Sequence, residues 1–285
     1  MIDLNSRSGL SDRINWLVDA GIDGQPEEQR GYLGCSGLGG GCERAVLYDY
    51  APQFACPADT LPGATGSTQA RGCDHGAAEA PADPWAQGDV NAATEAVFAF
   101  RHPARIRRVF ERGQDAEDRT ARWLKLAGFL LVTTDPLTGK QFEVAFCNGR
   151  VRGHADGILA MWRGAGMAPV RLPALWECKC LGHKWWQKAR KETLRSSHPK
   201  YFAQMQLYMH GLHLENGLIT CVDADTCELY HEQVTYDADI AVKLLQRAQR
   251  VLAAKDNGEL LPRGETSPAA MACRMCRWSG PCWRA

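Results

Sequence analysis

Few sequence features restrict a fold as tightly as charged residues placed inside an otherwise apolar strand. Between Arg171 and Cys180 the chain reads R-L-P-A-L-W-E-C-K-C, a predicted strand in which Glu177 and Lys179 stand two apart. Side chains alternate along a strand, so both leave the same face of the sheet. An acid and a base are thereby held side by side. A second predicted strand, Arg150 to Met161, carries Gly153-His154-Ala155-Asp156-Gly157. There a carboxylate is flanked by residues small enough for close approach of a backbone or a ligand. Where the two strands are adjacent, Asp156 and Glu177 can share one divalent cation.

The surrounding periodicities predict a mixed α/β domain. From Arg105 to Ala127 apolar residues recur as Ile106, Val109, Phe110, Leu124 and Leu126, with Gly128 as a stop, which reads as a helix. Phe129 to Thr133 and Gln141 to Phe146, with Asp135, Pro136 and Gly139 between them, are expected to form a hairpin. Tyr201 to Leu212 returns to helical spacing, and Leu218 to Val222 and Glu228 to Val234 are strand-like. Asp237 or Asp239 caps a last helix whose apolar face is Ile240, Leu244, Ala248 and Val251. Residues 51–90, rich in Pro, Gly, Ala and Asp and without a period, read as a surface insertion. Cys56, Cys73 and His75 within it match no established ligand spacing and read as free side chains. The expected organisation is an N-terminal helical segment (1–50), the insertion (51–90), a core (91–260) and a C-terminal cysteine segment (261–285), forming one domain overall.

At 285 residues, 45% hydrophobic and 23% charged, the composition is that of a globular chain able to bury a full core. No apolar run approaches the roughly 20 residues that span a bilayer, and the start MIDLNSRSGLSDR lacks the plan of a signal peptide. A cytoplasmic location is expected, that of a host cell if the gene is phage-borne. The formal net charge is zero, so no global field advertises a polyanionic partner. Locally, Lys184, Lys188, Arg190, Lys191 and Arg195 face the single acid Glu192, and Arg101, Arg105, Arg107 and Arg108 form a second basic run. Their placement beside the acidic motifs points to phosphate contact over plain solvated faces. Trp185 and Trp186, inside the first run, either stack on bases or pack into the core.

Hard cations such as magnesium and manganese prefer carboxylate oxygens, and magnesium keeps several waters for chemistry. Phosphodiester hydrolysis uses such an ion to polarise the phosphoryl oxygen and activate a water, while a neighbouring lysine orients that water or stabilises the developing charge. Two neighbouring motifs strengthen this reading of Asp156, Glu177 and Lys179. Gly113-Gln114-Asp115-Ala116-Glu117 places Glu117 one helical turn from a glycine that would let the helix press on the sheet, delivering a third carboxylate. Gln204 and Tyr208, four apart, share a helix face suited to holding the lysine, the water or a phosphate.

Near the C-terminus, Cys273-x2-Cys276-x5-Cys282 offers three soft thiolates, and a tetrahedral zinc site or a cubane cluster needs a fourth. Cys42, followed by Arg44 and an aromatic-rich helix, is preferred over Cys35 for that place. Zinc ribbons usually supply matched pairs, so one distant cysteine with three close ones leans towards iron-sulfur, with zinc as the alternative. Cys178 and Cys180 flank Lys179 on the opposite strand face and read as small buried residues.

Taken together, these motifs resemble those of the RecB-like PD-(D/E)XK nucleases that carry a four-cysteine cluster, including CRISPR-associated adaptation exonucleases and phage-encoded relatives. The similarity runs in pieces from Gly34 to Trp283 and leaves out the insertion. Asp156 corresponds to the family's metal-binding aspartate, Glu177 and Lys179 to its E-x-K pair, and Gln204 with Tyr208 to its Q-x-x-x-Y. Glu117 stands where many relatives have His, and Cys42, Cys273, Cys276 and Cys282 match the cluster cysteines. The resemblance implies a restriction-endonuclease-like core, a mixed central sheet flanked by helices. It implies an exonuclease using Mg or Mn, held by Glu117, Asp156, Glu177 and the carbonyl of Cys178, with a 4Fe-4S cluster as a structural brace. The implied substrate is DNA that is single-stranded or has free ends, in recombination, repair or phage DNA processing, with protein partners in a recombination or adaptation complex. A double-strand endonuclease of the same fold and a non-catalytic DNA-binding subunit are the alternatives.

Overall fold

A computed structural model of the protein describes residues 7–27, 30–55 and 102–284. Of the insertion at 51–90, all but residues 51–55 lies outside the described residues, as do Cys56, Cys73, His75 and Arg101. The elements run α1 (Arg7–Asp23), β1 (Leu33–Gly34), α2 (Glu43–Tyr50), α3 (Ala104–Leu126), β2 (Phe129–Val132), β3 (Phe142–Phe146), β4 (Val151–Ala155), β5 (Gly157–Trp162) and β6 (Ala174–Leu181). There follow α4 (His183–Lys191), α5 (Leu194–Ser197), α6 (Pro199–Leu212), β7 (Asn216–Asp223), β8 (Leu229–Thr235), α7 (Ala238–Asn257), α8 (Met271–Arg274) and α9 (Ser279–Arg284). The architecture is mixed α/β, with mixed sheets flanked by helices. No helix among the described residues is long and apolar enough to cross a membrane.

The described residues divide into two units, those within Met1–Gly40 and Arg101–Arg250 and those within Gly41–Phe100 and Val251–Ala285. In the first, a five-stranded sheet has the order β2-β5-β6-β7-β8 and a smaller one the order β1-β4-β3. Strand β6 lies at the centre of the larger sheet, antiparallel to β5 and parallel to β7, and α4 to α6 form the crossover between β6 and β7. A central strand is covered on both faces, which is why A-L-W-E-C-K-C-L carries apolar residues on both. On one face Trp176 and Cys178 join Leu159, Leu218 and Val222 in a cluster closed by Ala116, Ala121 and Leu124 of α3.

Two expectations about this unit need correction. Strands β2 and β3 do not form a hairpin: β2 pairs with β5, and β3 pairs with β4 in the other sheet. The hairpin is β3–β4, turned by Cys147, Asn148 and Gly149, all at positive φ. Asn-Gly is the strongest short hairpin signal, whereas Asp135 merely closes a local turn by accepting the N–H of Leu137. The second correction concerns the helix face. Val109, Phe110 and Leu126 are exposed, and α3 meets the sheet through Ala116, Thr120, Ala121 and Leu124. A Cβ added at Gly113 would touch nothing, so the close approach belongs to the small residues Ala116 and Thr120 instead.

The last expected helix is α7, and Asp237 is its cap, accepting the N–H of Ile240 at 3.2 Å. In the second unit Tyr48 and Trp278 pack ring to ring with centroids 5.6 Å apart, joined by Ala55 and Cys282. Asp49 accepts hydrogen bonds from the Arg277 guanidinium and the Trp278 indole, and Arg263 donates to the carbonyl of Cys282.

Candidate active site

Asp156 owes its position to a bend between two sheets. The run expected as one strand from Arg150 to Met161 is two, β4 in the smaller sheet and β5 in the larger, with Asp156 between them. The small neighbours are required here. A Cβ on Gly157 would lie 2.8 Å from the carbonyl oxygen of Val132, and one on Gly153 would lie 2.4 Å from the ring of Tyr208. Pairing of Gly157 with Trp176 brings Asp156 beside Glu177, and Asp156 Oδ2 accepts the backbone N–H of Cys178 at 2.8 Å.

Glu177 is fully buried. Its Oε1 accepts from Lys179 Nζ at 2.5 Å and from Gln204 Nε2 at 2.8 Å, whereas Oε2 is buried without a hydrogen-bond partner. Gln204 Nε2 also donates to the Tyr208 hydroxyl at 3.0 Å, so the i, i+4 pair on α6 acts as one unit, set by the packing of Tyr208 on Gly153. Glu117, half-buried on α3, completes the group, while Asp115 and Asp118 beside it are exposed. The six side chains singled out from the sequence are thus drawn together beside the middle of β6.

Their charges act on one another. Burial, then the negative charge of Asp156, pushes the Glu117 carboxyl up to about 7 against the pull of Lys179. Burial and Asp156, with a further contribution from Glu117, push Glu177 up to about 8, again opposed by Lys179. Asp156 is raised by burial, against the Lys179 ammonium and the Cys178 N–H. Burial would lower Lys179, but Glu177 and Asp156 outweigh it and hold the lysine above its ordinary range as an ammonium. Three carboxylates around one ammonium cannot all be ionised cheaply, so near neutral pH the group holds protons in common.

Among the described residues, no group of three or more His, Cys, Asp or Glu side chains is arranged to hold a metal ion. The Lys179 ammonium sits on Glu177 Oε1. The donor set nevertheless matches a hard divalent cation in kind, because it is carboxylate-rich and leaves one buried oxygen unpartnered.

The Cys178 side chain is buried in the apolar cluster beneath α3. Cys42, Cys273, Cys276 and Cys282 all fall in the second unit and are free thiols. The Cys276 thiol is raised by burial, with contributions from Cys42, Asp49 and Cys273, against a hydrogen bond from the backbone at Trp278. Cys282 packs in the cluster with Tyr48 and Trp278. Cys35, the alternative fourth ligand, is buried in the first unit, and burial pushes its thiol up to about 12.

The two basic runs separate in their uses. Arg107 donates to the carbonyls of Ile22 and Gln25, and Arg108 pairs with Asp19, so that run fastens α1 to α3. In the other run, Lys184, Arg190, Lys191 and Arg195 are exposed. Trp186 is buried, its indole N–H donating to the carbonyl of Cys221, whereas Trp185 is exposed. Sequence reading missed Tyr201, whose ring lies 5.6 Å from Lys179 Nζ, and the His183–Asp223 pair at 2.5 Å that anchors the start of α4. A tyrosine three residues before Gln204 on the same helix was the available signal for the first.

No family model matches the chain, and neither does any curated protein. Among solved structures it is similar to an alkaline exonuclease (LHK-Exo) from Laribacter hongkongensis, with 17% identity and a TM-score of 0.37 over 52% of this chain and 69% of that one. It is similar to a phage-related exonuclease from Haemophilus somnus 129PT, with 15% identity and a TM-score of 0.35 over 52% and 70%. It is also similar to the protein SSO0001, with 11% identity and a TM-score of 0.42 over 94% and 95%.

Proposed function

We propose that the protein is a metal-dependent deoxyribonuclease with a PD-(D/E)XK site, an exonuclease hydrolysing phosphodiester bonds from DNA ends. The observation that carries this reading is the buried, unpartnered Oε2 of Glu177, set among two further carboxylates and a lysine held as an ammonium. A carboxylate oxygen buried without a partner costs about 1–3 kcal/mol, and a protein retains such a cost where a ligand relieves it.

Glu117, Asp156 and Glu177 would hold Mg or Mn, with the carbonyl of Cys178 as a further oxygen. When bound, such an ion polarises a phosphoryl oxygen and lowers the pKa of an attacking water. Lys179, already protonated, donates rather than accepts: it orients the water through a lone pair and stabilises negative charge building at phosphorus. Gln204 holds Glu177 in a single orientation and is itself braced by Tyr208, the kind of outer support that fixes a metal ligand. With no net charge on the chain, attraction for the DNA backbone falls to the exposed cations of α4 and α5, and binding weakens as salt rises. Cys42, Cys273, Cys276 and Cys282 are assigned to a 4Fe-4S cluster, with zinc as the alternative, bracing the second unit.

The test is end-labelled linear DNA beside a closed circle, with Mg or Mn and with EDTA. Degradation of the linear substrate alone, and only with the cation, is expected. Cutting of the circle would make the protein an endonuclease, and intact DNA in every lane would make it a non-catalytic binder.

A further inference from the structure

Helix α4 begins two residues after the strand that carries Glu177 and Lys179, and its two tryptophans part company. Trp186 is buried, with Arg190 over its ring, and Trp185 is 53% exposed, with Lys188 over its ring. What sets Trp185 apart from a singly exposed aromatic is what its ring touches.

Trp185 does not stand alone. Its ring meets His198 edge-on, with centroids 5.9 Å apart and planes at 69°. His198 lies flat on Tyr201, with centroids 5.4 Å apart and planes at 6°. Tyr201 in turn lies under the Lys179 ammonium, 5.6 Å from its centroid. Three rings, two from the start of α6 and one from α4, thus run in contact from the lysine of the candidate site to the exposed Trp185. Burial and the nearby Lys188 hold the His198 imidazole below its ordinary pKa, against Glu192, so the middle ring is neutral and stacks as an aromatic. Lys188 Nζ lies over the Trp185 ring, 5.8 Å from its centroid, so a flexible cation that can turn to a phosphate accompanies the ring.

We infer that Trp185 is a stacking platform for an unpaired nucleobase, and that the row through His198 and Tyr201 sets the platform at a fixed place relative to Lys179. The partner is a single strand. Every base has a π-face, so such a platform is tolerant of sequence, but a base inside a duplex has both faces covered by its neighbours. Lys188 meets the backbone, and the ring meets the base. Specificity for an unpaired strand then comes from α4 rather than from the carboxylates. This inference rests on the nuclease reading only for its choice of nucleic acid.

The experiment uses the full chain in EDTA, with fluorescence anisotropy of a short labelled oligothymidylate and of a blunt hairpin duplex. Trp185→Ala is expected to weaken single-strand binding about ten-fold, the scale of one base-aromatic stack, and to leave hairpin binding unchanged. Trp185→Phe is expected to keep most of the affinity. An oligonucleotide bearing abasic residues should bind the wild type more weakly but the Ala variant no more weakly, a coupling that general destabilisation would not produce. Unchanged single-strand binding in Trp185→Ala, or equal losses on strand and hairpin, overturns the platform. A wild type that cuts DNA while ignoring Trp185 refutes the platform alone; one that binds the strand through Trp185 yet cuts nothing with Mg or Mn refutes the nuclease reading alone.

Discussion

Replacing Glu177 with Gln keeps the shape of the side chain and an oxygen able to accept from Lys179, and removes a charge from a place that disfavours it. In the wild type the carboxyl is pushed up from 4.5 to about 8 by burial and by Asp156. A group whose folded pKa lies above its unfolded value is protonated preferentially in the folded chain. The cation-free protein therefore loses stability as pH rises from about 4.5 to about 8. Glu117, pushed up to about 7, adds to the loss over the lower part of that window. At ~1.4 kcal/mol per pKa unit the Glu177 contribution is capped at about 5 kcal/mol. The buried amide carries a cost of its own and Lys179 loses a counter-charge, so a net gain of about 2 kcal/mol is expected for Glu177→Gln. That corresponds to a melting temperature about 4 °C higher at about pH 8 in EDTA, shrinking to nothing near about pH 5. Thermal melts of both proteins across that pH range read the difference directly. A variant that melts below the wild type at the high end, or a gap that does not change with pH, would refute the electrostatic account of the site.

Other substitutions probe the supports. Gly153→Ala forces a Cβ to 2.4 Å from the Tyr208 ring, and overpacking of this kind costs about 1–3 kcal/mol; a lower melting temperature and reduced nuclease rate are expected. Asp237→Ala removes the cap on the Ile240 N–H and should cost about 1 kcal/mol in denaturant unfolding; no change would mean the cap contributes nothing. Cys276→Ser should abolish bound iron, or zinc, in elemental analysis of anaerobically purified protein, and metal content equal to the wild type would remove Cys276 from the proposed cluster.

The mixed α/β class was legible in the sequence, and so were those pairings of side chains whose grammar is local. Glu177 and Lys179 share a face by the period of a strand, and Gln204 and Tyr208 by that of a helix, whatever the rest of the chain does. Asp156 was recognisable as a residue, but the bend that passes the chain from one sheet to the other at that point depends on partners far away in sequence. Strand pairing has the same difficulty: β2 and β3 follow each other yet belong to different sheets, and the Asn148-Gly149 turn, which does mark the hairpin, lies one connection later. Helix α3 misled through its large apolar residues, because a helix lying close on a sheet does so through its small ones, here Ala116 and Thr120. His198 and Tyr201 are three apart at the start of α6, but the contact of Trp185 with His198 joins two helices with no common period, so no sequence pattern announces it.

The most direct test of the central claim is single-turnover cleavage of end-labelled DNA by the wild type and by Lys179→Ala, at saturating Mg or Mn and with DNA binding measured alongside. Lys179 lies 2.5 Å from Glu177 and is held as an ammonium by its carboxylate neighbours. Loss of such a donor should lower the rate by about a hundred-fold or more with little change in binding. Cleavage by Lys179→Ala at the wild-type rate would contradict the account.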